Sequence, residues 1–83
     1  MQNLRVNGLE MPLQQKRLVE AWPELAGEMI ARYTLNAYIV NQTLVVRMSS
    51  PALRQELNMR RDYYVALLNH HVGAQVITDI RFA

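Results

Sequence analysis

The feature that most constrains this chain is a change of apolar period at Leu35. Before it, apolar residues recur at helical spacing; from there to Met48 they alternate, interrupted by the polar pair Asn41-Gln42. Ala37-Tyr38-Ile39-Val40 and Thr43-Leu44-Val45-Val46-Arg47-Met48 are rich in β-formers, so two strands joined by a tight hairpin are predicted. In the second strand Leu44, Val46 and Met48 share one face, and Thr43, Val45 and Arg47 the other. A sheet with one apolar face needs helices to cover it, and the flanking segments supply them.

Upstream, Asn3-Leu4-Arg5-Val6 reads as the last turn of a helix stopped by Asn7-Gly8. Pro12 suits a first helical position, and Leu13, Leu18, Ala21, Trp22 and Leu25 form a stripe. Pro23 predicts a bend or restart, followed by a short helix carrying Leu25, Met29, Ile30 and Tyr33. Gly27 inside that helix costs about 1 kcal/mol against alanine, which suggests close approach of another element. Downstream, Ser49-Ser50-Pro51 is a helix start, with the stripe Leu53, Leu57, Tyr64, Leu68 behind it and Gly73 as its stop. Val76 to Phe82 reads as a third strand, with Val76, Ile80 and Phe82 facing the core and Ile77, Asp79 and Arg81 facing away. The order α-α-β-β-α-β predicts a single α+β domain over residues 1–83, a three-stranded sheet with helices packed on one face.

Composition bounds the function classes. With 83 residues, 51% of them apolar, there is material for one modest core. The chain has no cysteine, so disulfides and thiolate metal sites are excluded. No apolar run approaches the roughly 20 residues of a membrane span and no signal-peptide pattern opens the chain, so a cytoplasmic location is expected. The net charge of +2 is unevenly spread: residues 1–31 carry −1 and residues 32–83 carry +3. Every base after Lys16 is arginine, the planar fork that suits phosphate and stacks on rings.

The sharpest local clue is Arg60-Arg61. In one uninterrupted helix Arg60 would lie about 20° from Leu53, inside the apolar stripe, where an unpaired charge is costly. A break near Asn58 to Arg61 is therefore predicted, with Asp62 as the cap of a second segment. It would display Arg60, Arg61 and Arg54 on an irregular corner suited to phosphate. The competing reading pairs Arg61 with Asp62 and Arg60 with Glu56. On the exposed sheet face, Arg47 and Arg81 flank Tyr38, Val45 and Ile77, a basic and aromatic platform for an unstacked base. The competing reading there is an Arg47–Asp79 cross-strand pair, and a dimer patch through Val40, Val45 and Ile77 is a third. Of Tyr63 and Tyr64, one is expected in the core and one at the surface, and Trp22 is expected to pack.

Enzyme chemistry finds no foothold. His70 and His71 are adjacent and cannot both face one metal, and His71 falls on the apolar stripe. The serines are confined to Ser49-Ser50, and Glu20, Glu24 and Glu28 mark a solvated helix face. There is no Gly-rich phosphate loop. No cofactor or metal is expected.

Several of these landmarks recur in one order: Trp22-Pro23-Glu24-Leu25 with Gly27, Ile30 to Thr34, the hairpin Ile39 to Met48, Ser49-Ser50, Leu53 to Leu57, Leu67-Leu68-Asn69, Gly73, and Val76 to Phe82. That order resembles the bacterial DciA-like family, over most of the chain from about Asn7 to Phe82. The resemblance implies a KH-like fold that binds DNA, with some members helping to load or operate the replicative helicase. It also implies that part of a first helix lies upstream and that this is a short form without the long basic C-terminal tail of many members. The Gly-x-x-Gly loop of KH domains has no counterpart at Gly8 or Gly73, so binding is expected through arginines and surface shape. The landmarks Trp22, Gly27, Thr34, Leu57, Asn69 and Gly73 read as architectural. The combined expectation is a non-enzymatic nucleic-acid-binding domain, for DNA before RNA, with contacts led by Arg60 and Arg61 and supported by Arg54, Arg47 and Arg81. The alternative is a protein-interaction module that docks a helicase, or pairs as a homodimer, through the outer sheet face.

Overall fold

The structure, a computed structural model, describes residues 2–83, with side chains from Met11 onward; Met1 of the expected 1–83 domain lies outside the described residues. The elements run α1 (Gln2–Ala26), α2 (Glu28–Arg32), β1 (Thr34–Val40), β2 (Thr43–Met48), α3 (Pro51–Asn58), α4 (Arg61–Val72) and β3 (Asp79–Phe82). The fold is α+β with the expected order, the third helical segment being broken as predicted. The mixed sheet has the order β1-β2-β3, with β1 antiparallel and β3 parallel to the central β2.

The hairpin forms where the period predicts it. Asn41 and Gln42 have φ of 48° and 66°, the left-handed pair that a two-residue hairpin loop demands. Asparagine tolerates this conformation; for Gln42 it costs about 1–2 kcal/mol. The Gln42 carbonyl is held by the Thr78 N–H at 2.8 Å, which ties the loop to the segment leading into β3.

The N-terminal helix departs from the sequence reading. It runs unbroken through Asn7-Gly8, Pro12 and Pro23. Each interior proline removes a helix hydrogen bond at a cost of about 3 kcal/mol, but one side of the helix, with Met11, Leu18, Ala21, Trp22 and Leu25, packs on the core across both prolines. The helix ends instead at Gly27, whose φ of +99° only glycine adopts freely. A Cβ there would meet nothing within 4 Å, so its role is the turn and not close packing. Leu13 is exposed because it lies about 140° around the helix from Leu18. Met29 and Tyr33 are exposed as well, leaving Ile30 as the residue of the short α2 that packs inward.

Helices cover one face of the sheet only. Leu44, Val46, Met48, Ile80 and Phe82 meet Leu18 and Trp22 of α1, Leu57 of α3, and Tyr64 and Leu68 of α4. Trp22 stands edge-on to Tyr64 (5.3 Å, 70°) and tilted to Phe82 (5.6 Å), contacts worth about 0.5–1.5 kcal/mol each beyond area burial. Its indole N–H donates to Thr34 Oγ1 (3.2 Å), which donates in turn to the Ile30 carbonyl (3.0 Å). A bulge at Leu35 separates the pairs Thr34↔Met48 and Asn36↔Arg47; it leaves Leu35 exposed.

The approach to β3 is organised by one buried amide. Asn69 Oδ1 accepts from the N–H groups of Val76 (3.0 Å) and Ile77 (3.1 Å), and its Nδ2 donates to the Ile77 carbonyl (2.8 Å). This pins residues 76 and 77 outside the strand, which starts at Asp79 and not at Val76. Ile77 consequently enters the core with no exposure at all, correcting its outward assignment. Gly73, with φ of +82°, closes α4 in the left-handed conformation.

Asn69→Ala strands the buried N–H and C=O of Ile77 at about 1–3 kcal/mol each, while the Val76 N–H keeps its bond to the Ala74 carbonyl (3.0 Å). Urea denaturation is expected to show a loss of about 3 kcal/mol or more, a large share of a small domain's stability. A loss under about 1 kcal/mol would mean that the amide does not hold the connection.

Candidate nucleic-acid interface

Continuing α3 would bury Arg60, and the chain breaks at that point. Asn58 ends α3, Met59 and Arg60 make the turn, and Arg61 begins α4. Arg60, with φ −121° and ψ 25°, occupies the cap position without a side-chain cap bond. Asp62, expected as the cap, lies inside the first turn of α4. Ser50 does cap α3 as predicted, its hydroxyl oxygen accepting from the Leu53 N–H at 3.2 Å.

The corner is fastened to the sheet by Asn58, which the sequence reading did not single out. Its amide donates to the Phe82 carbonyl (3.2 Å) and accepts from the Phe82 N–H (3.3 Å), taking the place of a neighbouring strand. Asp79 Oδ1 accepts from the Ile80 N–H (2.8 Å). Together they occupy backbone groups on the open edge of β3, which blunts that edge against further pairing. An asparagine directly before a forced helix break was the signal available, since its short amide bonds readily to backbone.

Residues Met59 to Tyr63 are all exposed around a shallow cleft of about 420 Å³ that Asn58 also lines. The Arg60 guanidinium carbon lies 5.0 Å from the centre of the Tyr63 ring and 5.7 Å from that of Tyr64. Tyr64 is buried and Tyr63 half-exposed, as expected of the pair. Arg61 meets Asp79 at 4.0 Å with both side chains about half-exposed (47% and 49%), a contact worth at most about 1 kcal/mol. The proposed pairs Arg61–Asp62, Arg60–Glu56 and Arg47–Asp79 are not formed. Arg47 stands opposite Asn36, while Asp79 stands opposite Thr43 and turns to Arg61. Arg54 is partly buried one turn before Asn58 on the same face of α3.

The structure thus separates the five arginines into two groups. Arg60 and Arg61 hold the corner, with Arg54 on the helix that leads to it. Arg47 and Arg81 lie exposed on the uncovered sheet face with Tyr38 and Val45; Ile77, assigned there from the sequence, is in the core. His70 and His71 are both exposed, Val72 taking the apolar position expected of His71. Among the described residues no three His, Cys, Asp or Glu side chains gather as a metal site, and no helix is long and apolar enough to cross a membrane.

The family described as Dna[CI] antecedent, DciA, has a model that matches residues 1–82. The chain belongs to the DciA family. No curated protein matches it. The DciA family is non-catalytic and associated with replicative helicases and their loading in DNA replication. In this DciA chain the residues that carried the resemblance are structural: Trp22 and Leu57 are core, Thr34 holds the indole, Gly27 and Gly73 turn the chain, and Asn69 pins the approach to β3. The surface arginines stand apart from that scaffold.

Asn58→Ala uncovers both backbone groups of Phe82 and is expected to cost about 1–2 kcal/mol by thermal or urea unfolding. Met59→Ala, at a side chain 82% exposed, is the matched control and should stay within about 0.5 kcal/mol of wild type. Equal effects of the two would remove Asn58 as the fastening of the corner.

Proposed function

We propose that this chain is a non-enzymatic nucleic-acid-binding domain of the helicase-loading apparatus, binding DNA in preference to RNA and with little sequence selectivity. It acts as one domain with a KH-like fold. The observation that carries the reading is the forced break after α3, which leaves Arg60 and Arg61 exposed and nearly free of acidic partners. Arg60 has no carboxylate partner among the described residues and rests on tyrosine rings. Arg61 has one long, solvated contact that a phosphate oxygen can replace. The exposed start of α4 adds the positive end of a helix dipole at the same corner.

Recognition by a Gly-x-x-Gly loop is not available, because Gly8, Gly27 and Gly73 each stand alone. Contacts to phosphate therefore dominate, from Arg60 and Arg61 first and from Arg54, Arg47 and Arg81 second. Such contacts position a strand without reading its bases, which accounts for weak selectivity. They also release counterions, so affinity falls steeply with salt. A cytoplasmic setting and contact with the replicative helicase belong to the same proposal.

A docking module for protein is the second reading, favoured by the exposed Leu35, Tyr38 and Val40 of β1, an edge strand with an open side.

Fluorescence anisotropy of labelled single-stranded DNA, duplex DNA and RNA at two salt concentrations tests the choice. Wild type is expected to bind, to weaken with salt and to prefer DNA. Arg60→Ala/Arg61→Ala should lose at least tenfold in affinity and lower the log–log salt slope by about 1.4–1.8, two phosphate contacts' worth. Asp79→Asn, which releases Arg61, should tighten binding several-fold. No binding by wild type at low salt would contradict the reading and favour the protein-docking module.

A further inference from the structure

The uncovered face of the sheet carries a row that crosses all three strands. Tyr38 of β1 is opposite Val45 of β2, and Val45 is opposite Arg81 of β3. Although no helix covers this face, Val45 is only 6% exposed, because its neighbours wall it in. Tyr38, Val40, Asn41, Thr43, Val45 and Arg81 line a depression of about 310 Å³ there, enough for one nucleobase. Tyr38 remains 42% exposed beside an apolar floor, so a planar group can lie on it without displacing core side chains.

The charge on this face fits an anion. Arg47 and Arg81 project from it, and neither has an acidic partner among the described residues. The acidic side chain on the same face of β3, Asp79, is engaged by the Ile80 N–H through one oxygen and by Arg61 through the other. The remaining polar groups of the face, Asn36, Asn41 and Thr43, are neutral. A ring platform, a small apolar pit and two unpaired guanidinium groups match an unpaired base with its flanking phosphates. A rigid duplex keeps its bases stacked inside and could offer this face only phosphate.

We infer that the Tyr38–Val45–Arg81 row is a second contact, distinct from the α3–α4 corner, which takes an unstacked base of a single strand. The inference rests on the nucleic-acid reading above and adds a strand preference to it. The corner holds phosphates of either form; the row favours a strand whose bases can turn out. Tyr38 supplies the stacking plane, Val45 the floor, and Arg81 with Arg47 the charge for the adjoining phosphates.

The test compares a short labelled oligothymidylate with a duplex of equal length, for wild type and for Tyr38→Ala, Tyr38→Phe, Arg81→Ala and Arg60→Ala/Arg61→Ala. Loss of one stacked base should cost about tenfold in the single strand. Tyr38→Ala is thus expected to weaken oligothymidylate binding about tenfold and duplex binding less than twofold, with Tyr38→Phe retaining both. Arg81→Ala should lower the single-strand salt slope by about 0.7. If Tyr38→Ala weakens both forms equally, or neither, while the Arg60/Arg61 variant still loses both, this inference falls and the phosphate reading stands. If wild type binds neither form at low salt, both fall. Sedimentation of the same proteins reads the remaining outcome: a concentration-dependent mass lost in Tyr38→Ala, with DNA binding unchanged, would assign the face to a second copy of the chain and overturn the inference. The circular dichroism of Tyr38→Phe and Tyr38→Ala, matched to wild type, separates lost contact from lost fold.

Discussion

The side-chain amide of Asn69 makes all of its hydrogen bonds to the backbone of two residues, Val76 and Ile77, and the remainder of the domain is arranged around that fact. Because both N–H groups go to one oxygen, residues 76 and 77 cannot pair as strand, and both side chains turn inward. The chain then enters β3 alongside β2 in parallel, with Ile80 and Phe82 placed on the helical side. Trp22, Tyr64 and Phe82 meet there, so a polar contact at one end of α4 fixes an aromatic group at the other. A buried amide whose oxygen and nitrogen are both bonded to backbone specifies one geometry where an apolar residue of the same size would allow several.

The same logic operates at the corner. Asn58 replaces a missing strand beside Phe82, so two hydrogen bonds tie the end of α3 to the end of β3. The residues after Asn58 are free of core duty, and the chain uses Met59 to Tyr63 to reach solvent. Arginine tolerates this setting because its flat, weakly hydrated head can rest on Tyr63 and Tyr64 without giving up its donors. A preorganised guanidinium loses less freedom on meeting a phosphate than a mobile lysine would. Two side-chain amides thus build the scaffold, and the arginines are displayed on it. In a DciA-family chain with no glycine-rich loop, that division separates the residues that set the fold from the guanidinium groups displayed on it.

Local signals in the sequence located the hairpin, the Ser50 cap, the break before Arg61 and the Gly73 stop, because each depends on a few neighbouring residues. Long-range packing was not legible. Pro12 and Pro23 read as helix boundaries, yet α1 passes through both, its core-facing side running from Met11 through Leu18 to Leu25. Ile77 read as outward by strict alternation, which holds only inside a strand, and Asn69 ends the strand before it. Leu13 was assigned to a buried stripe although it lies about 140° around the helix from Leu18, and Met29 to a short helix that packs inward through Ile30. At the candidate site, the exposure of Arg60 and Arg61 followed from a charge that could not be buried. The acidic contact did not: Asp79 replaces the expected Asp62 and Glu56, since a contact between residues distant in the chain leaves no mark in local spacing. By contrast, the tyrosines that meet Arg60 stand only three and four residues along the same helix.

The most direct test of the account is a titration of the isotope-labelled domain with short DNA, followed through its backbone amide resonances. The largest shifts are predicted at residues 58–63, with Phe82 responding through its bonds to Asn58. Shifts confined to α1 and α2, with residues 58–63 silent, would contradict the claim that the broken helix displays the binding corner.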